Sequence, residues 1–196
     1  MGLVTKRRKV IVHIGASADG YIARPDGDLE WLTARPAPKG FYGMDAFVKS
    51  IDTMVLGRKT YDIMAAYWPT APEDAGGEVF NDAPKYVASR GRPTLEWSNS
   101  VLIEGDAADG LAALKAEDGP ELQVHGSSNL IQTLLRHNLV DEYRLWVFPV
   151  VLGSGKRLFS DGAIPAGLKL LDSKVSTTGV VIGTYEPAGE IVTGSF

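Results

Sequence analysis

Two short segments place glycine and hydroxyl side chains, the first of them with cations as well, in an order that suits a phosphate. Gly57-Arg58-Lys59-Thr60 follows the apolar run Thr53-Met54-Val55-Leu56 and precedes Tyr61, Met64 and Ala65 at helical spacing. A glycine between a strand and a helix lets a phosphate approach the backbone. The first helical N–H groups and the helix dipole favour an anion there, and Arg58 and Lys59 could hold a further phosphate. The plainer alternative is a turn with a solvated basic helix start. His125-Gly126-Ser127-Ser128-Asn129 has the same layout after Leu122-Gln123-Val124. Serine caps are common at helix starts, so this segment gains its weight from the first one. Ligands of open α/β sheets bind outside the C-terminal strand ends, where both loops would lie. Ser89-Arg90, after Lys85-Tyr86-Val87-Ala88, is a third contributor at that edge.

Proton chemistry would fall to carboxylates. Asp19, Asp26, Asp28, Glu30 and Asp45 lie between the first apolar run and the second. Most acidic loop residues are solvated, but a buried one can supply a proton to a substrate. Trp31, Tyr42 and Trp68 could wall such a group or could equally be core. Sharper motifs fail. Gly153-Ser154-Gly155-Lys156 lacks the leading glycine of a phosphate-binding P-loop and reads as a turn. Gly15-Ala16-Ser17-Ala18-Asp19 lacks the last glycine of a nucleophile elbow. His13, His125 and His137 have no metal-ligand spacing, and the first two read as strand residues.

The elements that must position these groups are legible from periodicity. Val10 to Ala16 is a β-branched run suited to a strand buried on both faces. Strands follow at 53–56, 85–88, 101–103 and 122–125. Helices are expected after Asp45 (Phe47, Val48, Ile51), over Tyr61–Ala65, around Leu111 and Leu114, and along Leu130, Ile131, Leu134 and Leu135. From residue 138 on the pattern is strands only: Asp141 to Val150, 168–175 and 179–186. Strand–helix alternation implies right-handed crossovers and a parallel sheet, and the last strands an antiparallel edge. The 20–43 stretch, rich in Gly and Pro, reads as a long loop, and long ordered loops tend to be functional.

Composition narrows the class. With 196 residues, 44% of them hydrophobic and 22% charged, the chain can bury one ordinary core. The net charge of −4 argues against a dedicated nucleic-acid binder. No apolar run approaches a membrane span, and Val10 to Ile14 is too short for the apolar part of a signal peptide. Absence of cysteine fits a reducing compartment. The expectation is a cytoplasmic protein with a flexible tail over 1–8, a domain over 9–187, and a C-terminal tail or short edge strand over 188–196.

Together these segments resemble the dihydrofolate reductase-like superfamily, and within it the branch containing the C-terminal reductase domain of riboflavin-biosynthesis proteins. The resemblance rests on Ser17-Ala18-Asp19-Gly20-Tyr21-Ile22-Ala23, Gly57-Arg58-Lys59-Thr60-Tyr61, the 125–130 loop, Leu139-Val140-Asp141-Glu142 and Pro149-Val150-Val151-Leu152-Gly153-Ser154-Gly155. It implies a single three-layer α/β domain, with a mixed, mainly parallel sheet, helices on both faces and antiparallel C-terminal strands. It implies an NADPH-dependent reductase of a pteridine-like or ribosylaminopyrimidine-like heterocycle; the alternative is a non-catalytic dinucleotide-binding protein of the same fold. Gly57, Arg58, Lys59 and Thr60 would meet cofactor phosphates, with Arg58, Ser89 and Arg90 at a 2′-phosphate. Gly126, Ser127, Ser128, Asn129 and Leu130 would form the pyrophosphate loop, and Ala16, Gly20 and Ile22 the nicotinamide wall and lid. Asp28-Leu29-Glu30-Trp31 is similar to the D-x-x-W stretch of dihydrofolate reductases, although some two dozen residues separate it from the Gly57-Arg58-Lys59-Thr60 loop. The candidate proton donors are Asp28, Asp45 and Glu30, in that order. The expected partners are a small-molecule substrate and a second copy of the chain, because both faces of the Asp141–Val150 strand are apolar and no helix follows to cover them.

Overall fold

A computed structural model of the chain describes residues 7–33, 51–71 and 76–194. The expected helix after Asp45, and Asp45 and Tyr42 themselves, lie outside the described residues. Among these residues eight strands form the central sheet. β1 (Val10–Ser17) lies at its middle, because its apolar run can be buried on both faces. The short β2 (Tyr21–Ala23) and helix α1 (Glu30–Thr33) follow. Then come β3 (Thr53–Gly57), α2 (Arg58–Tyr67), α3 (Gly77–Asp82), β4 (Lys85–Ala88), β5 (Ser100–Ile103), α4 (Ala107–Ala116), β6 (Leu122–Val124) and α5 (Ser128–Arg136). The last third is β7 (Glu142–Phe148), β8 (Lys156–Arg157), β9 (Leu168–Val175) and β10 (Val181–Pro187). The sheet order is β5-β4-β3-β6-β1-β7-β10-β9. β5 through β7 pair in parallel, and β10 runs antiparallel to both β7 and β9.

Three layers result, because strand residues alternate between faces. Val12 pairs with Val124 and Tyr143, and Val55 pairs with Val124, so all four share one face. That face packs against Leu111 of α4 and Leu130, Ile131 and Leu134 of α5. On the other face Met54 and Leu56 meet Tyr61, Phe80 and Trp97 under α2 and α3. A third cluster on that side joins Trp31 of α1 to Trp146, Phe148 and Val180.

The differences from sequence expectation have local causes. β7 is shorter than the Asp141–Val150 run: the Asp141 carboxylate accepts from the Val10 N–H at 2.9 Å, and β7 stops before Pro149, which has no N–H to donate. The 20–43 stretch holds β2 and α1 within its described part. α3 is too short to show a period and is anchored by Phe80, stacked at 3.8 Å on the partly buried Trp68, which packs against that core. Lys85 closes that layer. It is fully buried and donates to the Asn81, Ala83 and Ser98 carbonyls at 2.7–3.0 Å. Arg8, assigned by composition to the tail, is buried and donates to Thr53 Oγ1 at 2.9 Å and to the Pro120 carbonyl. Residues 188–194 form no strand.

Candidate functional site

The turns after β3 and β6 meet at the C-terminal edge of the sheet. The Gly57 N–H donates to the Gly126 carbonyl at 2.8 Å. Neither glycine has room for a side chain. A Cβ on Gly57 would stand 2.8 Å from the Ser127 nitrogen, and one on Gly126 2.8 Å from Thr60 Oγ1. Gly126 also has φ +124, a region disfavoured for other residues. The contact therefore fixes two helix starts side by side, α2 at Arg58 and α5 at Ser128.

Both starts lack a side-chain cap. Gly57 has no side chain to offer, and the Ser127 hydroxyl, expected as a cap, makes no capping bond. α4 differs: its Asp106 carboxylate accepts from the Ala108 and Asp109 N–H groups at 2.8 and 3.3 Å. A carboxylate thus already occupies the N-terminus of α4, whereas among the described residues the N-cap positions of α2 and α5 make no side-chain capping bond. Two adjacent uncapped helix N-termini attract an anion by dipole and by N–H donation.

The other predicted residues sort by position. Thr60 touches the Gly126 turn, while Lys59 is exposed. Leu130 is buried in the α4–α5 core, so it can offer only backbone to a ligand; Asn129 is exposed. Arg58 is engaged through Nε with both carboxylate oxygens of Asp62, at 2.7 and 2.9 Å. It lines a groove of about 590 Å³ with Tyr61, Asp62 and Trp97. Ser89 and Arg90 line a separate cavity of about 160 Å³ with Arg92 and Glu104. Sequence reasoning missed Arg92, whose signal was its place two residues beyond Arg90. Ala16 and Ile22 are buried in the same core as α5, and Gly20 turns the chain between them with φ +84.

That turn is latched by Asp19. Its carboxylate accepts from Ser17 Oγ at 2.6 Å, from the Gly153 N–H at 2.8 Å and from the Leu152 N–H at 3.1 Å. Arg157 adds a bond to the Asp19 carbonyl and lies 4.4 Å from the centre of the Tyr21 ring. The 153–156 turn is therefore the far side of the latch. The bond from Ser17, with those from Gly153 and Leu152, holds the Asp19 carboxyl down at about 2.

The acid candidates are less centred. Asp28 sits at the entry to α1, accepts from the Glu30 N–H at 3.1 Å and pairs with Arg24 at 3.3 Å. Glu30 is exposed. What the structure does bring together is His13 and His125, whose ring centres are 5.7 Å apart. Among the described residues no group of three His, Cys, Asp or Glu could hold a metal ion, and no helix is long and apolar enough to cross a membrane.

A family model for the RibD C-terminal domain matches residues 8–182. The chain belongs to that family. Among its relatives is "Uncharacterized protein YyaP" of Bacillus subtilis (strain 168), 31% identical over 184 residues, 92% of this chain and 95% of that one. A solved structure described as a "Putative riboflavin biosynthesis protein" from Shewanella sp. PV-4 is 28% identical, with a TM-score of 0.75 over 92% of this chain and 99% of that chain. Dihydrofolate reductase from Enterococcus faecalis, complexed with NADP(H), is 14% identical with a TM-score of 0.57, covering 91% of this chain and 96% of that chain. The fold of this RibD C-terminal domain is therefore dihydrofolate reductase-like.

The latch has a pH signature. The Asp19 carboxyl titrates below its ordinary value of 3.8 when folded, so its contribution is complete above that pH and is lost as pH falls through about 2. Asp19→Asn should melt lower than the native chain at pH 7, and the difference should shrink toward zero by pH 2. Thermal melts by circular dichroism at a series of pH values check this; a constant difference would contradict it.

Proposed function

We propose that this RibD C-terminal domain is an NADPH-dependent reductase that transfers hydride to a small pteridine-like or ribosylaminopyrimidine-like heterocycle. The observation that carries the reading is the pair of uncapped helix starts locked together at Gly57 and Gly126. A diphosphate fits them: its oxygens would take the N–H groups of the first turns of α2 and α5, and glycine at both positions keeps the approach open. Membership of the RibD C-terminal family and likeness to a dihydrofolate reductase fold support the same assignment. A bound nicotinamide would supply the hydride.

The chain's own work is binding, orientation and water exclusion. Ser89 and Arg90, with Arg92 in the same cavity, would take a 2′-phosphate. Arg58 would join them by sharing its guanidinium between Asp62 and the phosphate. Ala16, Gly20 and Ile22 would wall the nicotinamide, with the Asp19 latch holding their turn against 152–153. Asp28 would donate the proton, with Glu30 and Asp45 behind it. The engagement of Asp28 with Arg24 and the helix start favours the second reading, a dinucleotide-binding protein without turnover.

Charge-assisted contacts to a 2′-phosphate are worth about 1.5–3 kcal/mol, or about 10- to 150-fold in affinity. Arg90→Ala and Arg58→Ala should each weaken NADPH by that order and NADH only slightly, by fluorescence titration. Equal losses for both cofactors would place these cations elsewhere. Loss of NADPH absorbance across pterins and aminopyrimidine ribosides separates the two readings. Asp28→Asn should retain NADPH affinity and lose turnover.

We also propose a homodimer and place the protein in the cytoplasm. In register, Val147, Val181 and Val175 form one row across β7, β10 and β9, and Tyr143, Tyr185 and Leu170 another on the same face. Val175 is 64% exposed, Leu170 52% and Val181 44%. A second copy would cover this patch, of a kind that marks association surfaces. Sedimentation should give a dimer at micromolar concentration, and Val181→Lys a monomer. A native monomer would remove the claim.

A further inference from the structure

β2 and β8 form a two-stranded sheet of their own, with Tyr21 opposite Arg157 and Ala23 opposite Lys156. A ribbon of two strands is marginally stable by itself and needs fixed points. One is the Asp19 carboxylate, which holds the Leu152 and Gly153 N–H groups. The other lies beyond β8. The Gln132 side chain, on α5, donates through Nε2 to the Leu158 carbonyl, and its Oε1 accepts from the Ser160 hydroxyl at 2.8 Å. Leu158 is buried in the same core cluster as Ile22 and Leu130, and its N–H donates to the Gly20 carbonyl at 3.4 Å. Arg157, one residue earlier, donates to the Asp19 carbonyl at 3.3 Å and to the Tyr21 hydroxyl at 3.1 Å. Residues 157–160 are thus held to α5 on one side and to the Gly20 turn on the other.

The residue type suits this place. Leu158 offers a carbonyl and Ser160 a hydroxyl, so the side chain between them donates at one atom and accepts at the other. A primary amide does both from a single carbon, whereas a carboxylate cannot donate and an ammonium cannot accept. Gln132 also lies four residues after Ser128, one turn into α5 and on the same side as its first residue.

We propose that Gln132 is a positioning residue for the nicotinamide: it sets the Gly20–Ile22 wall in register with the α5 start that would hold the cofactor diphosphate. The proposal rests on the reductase reading above, which puts the two ends of one cofactor on these two elements. A diphosphate on α5 fixes one end. Hydride transfer needs the other end fixed as well, because a misplacement of about 1 Å costs on the order of 100-fold in rate. Gln132 acts through residues 157–160, and the wall rather than the amide meets the nicotinamide.

The test compares NADPH with 2′-phospho-ADP-ribose, the same dinucleotide without its nicotinamide. Both are titrated by calorimetry into the native chain, Gln132→Met and Ser160→Ala. The native chain should bind NADPH about 10-fold or more tightly than the truncated ligand. Gln132→Met, close to glutamine in length but without either bond, should lose most of that preference while its affinity for the truncated ligand stays near native. Ser160→Ala, which removes one bond, should reduce the preference about 2- to 10-fold. A bond that only stabilises the fold would lower the melting temperature and leave the ratio of the two affinities as it is. An unchanged ratio in the variants therefore overturns the proposal. Equal native affinity for the two ligands overturns it too, because no nicotinamide contact is then left to position. Should Gln132→Met fail to fold, Ser160→Ala decides by the same ratio. A native chain that binds neither ligand sinks the reductase reading together with the proposal; binding of both with an unchanged ratio sinks the role of Gln132 alone.

Discussion

The hydrogen bond from the Gly57 N–H to the Gly126 carbonyl is the constraint on which the functional edge depends. It joins two crossovers that the chain makes far apart, β3 into α2 and β6 into α5. The parallel pairing of Thr53–Val55 with Leu122–Val124 brings their C-terminal ends level, and two residues without side chains let the turns touch. Any side chain at either glycine would push one helix start away from the other. Buried apolar residues on both sides of the sheet make this arrangement rigid: Val55 and Val124 on one face, Met54 and Leu56 on the other.

Polar groups follow a consistent division around that edge. Three ends away from it are satisfied by side chains: α4 by Asp106, the end of α3 by Lys85, and the β1 entry by Asp141. At the edge itself the helix starts carry no side-chain cap. The Asp19 carboxylate is spent on holding the β1–β2 turn to 152–153. An edge built this way offers backbone N–H groups and a few side chains, and the reductase reading proposed above uses it to hold a cofactor that carries the reaction chemistry itself.

Much of this was legible in the sequence because it is local. β1 announced itself by Val10–Val12, α5 by Leu130, Ile131 and Leu134 at helical spacing, and both glycine turns by their place between strand and helix. What stayed hidden is what depends on pairing between distant segments. His13 and His125 read as ordinary strand residues until β1 and β6 are set side by side. Arg8 read as tail because its neighbours are basic, and only the approach of Thr53 and Pro120 shows why it is buried. α3 escaped notice because six residues with one anchor, Phe80, display no period. The acid candidates rest only on residue type and place in a loop. The structure adds that Asp28 works at the entry to α1, while Asp45 lies outside the described residues.

The account stands or falls on the glycine contact as a dinucleotide cradle. Calorimetric titration of NADPH into the native chain and into Gly126→Ala, with circular dichroism confirming that both remain folded, tests it most directly. The native chain should bind one NADPH per subunit, and the variant should lose that binding by about 100-fold or more while keeping its secondary structure. Equal affinity in the two proteins, or no binding to the native chain, would contradict it.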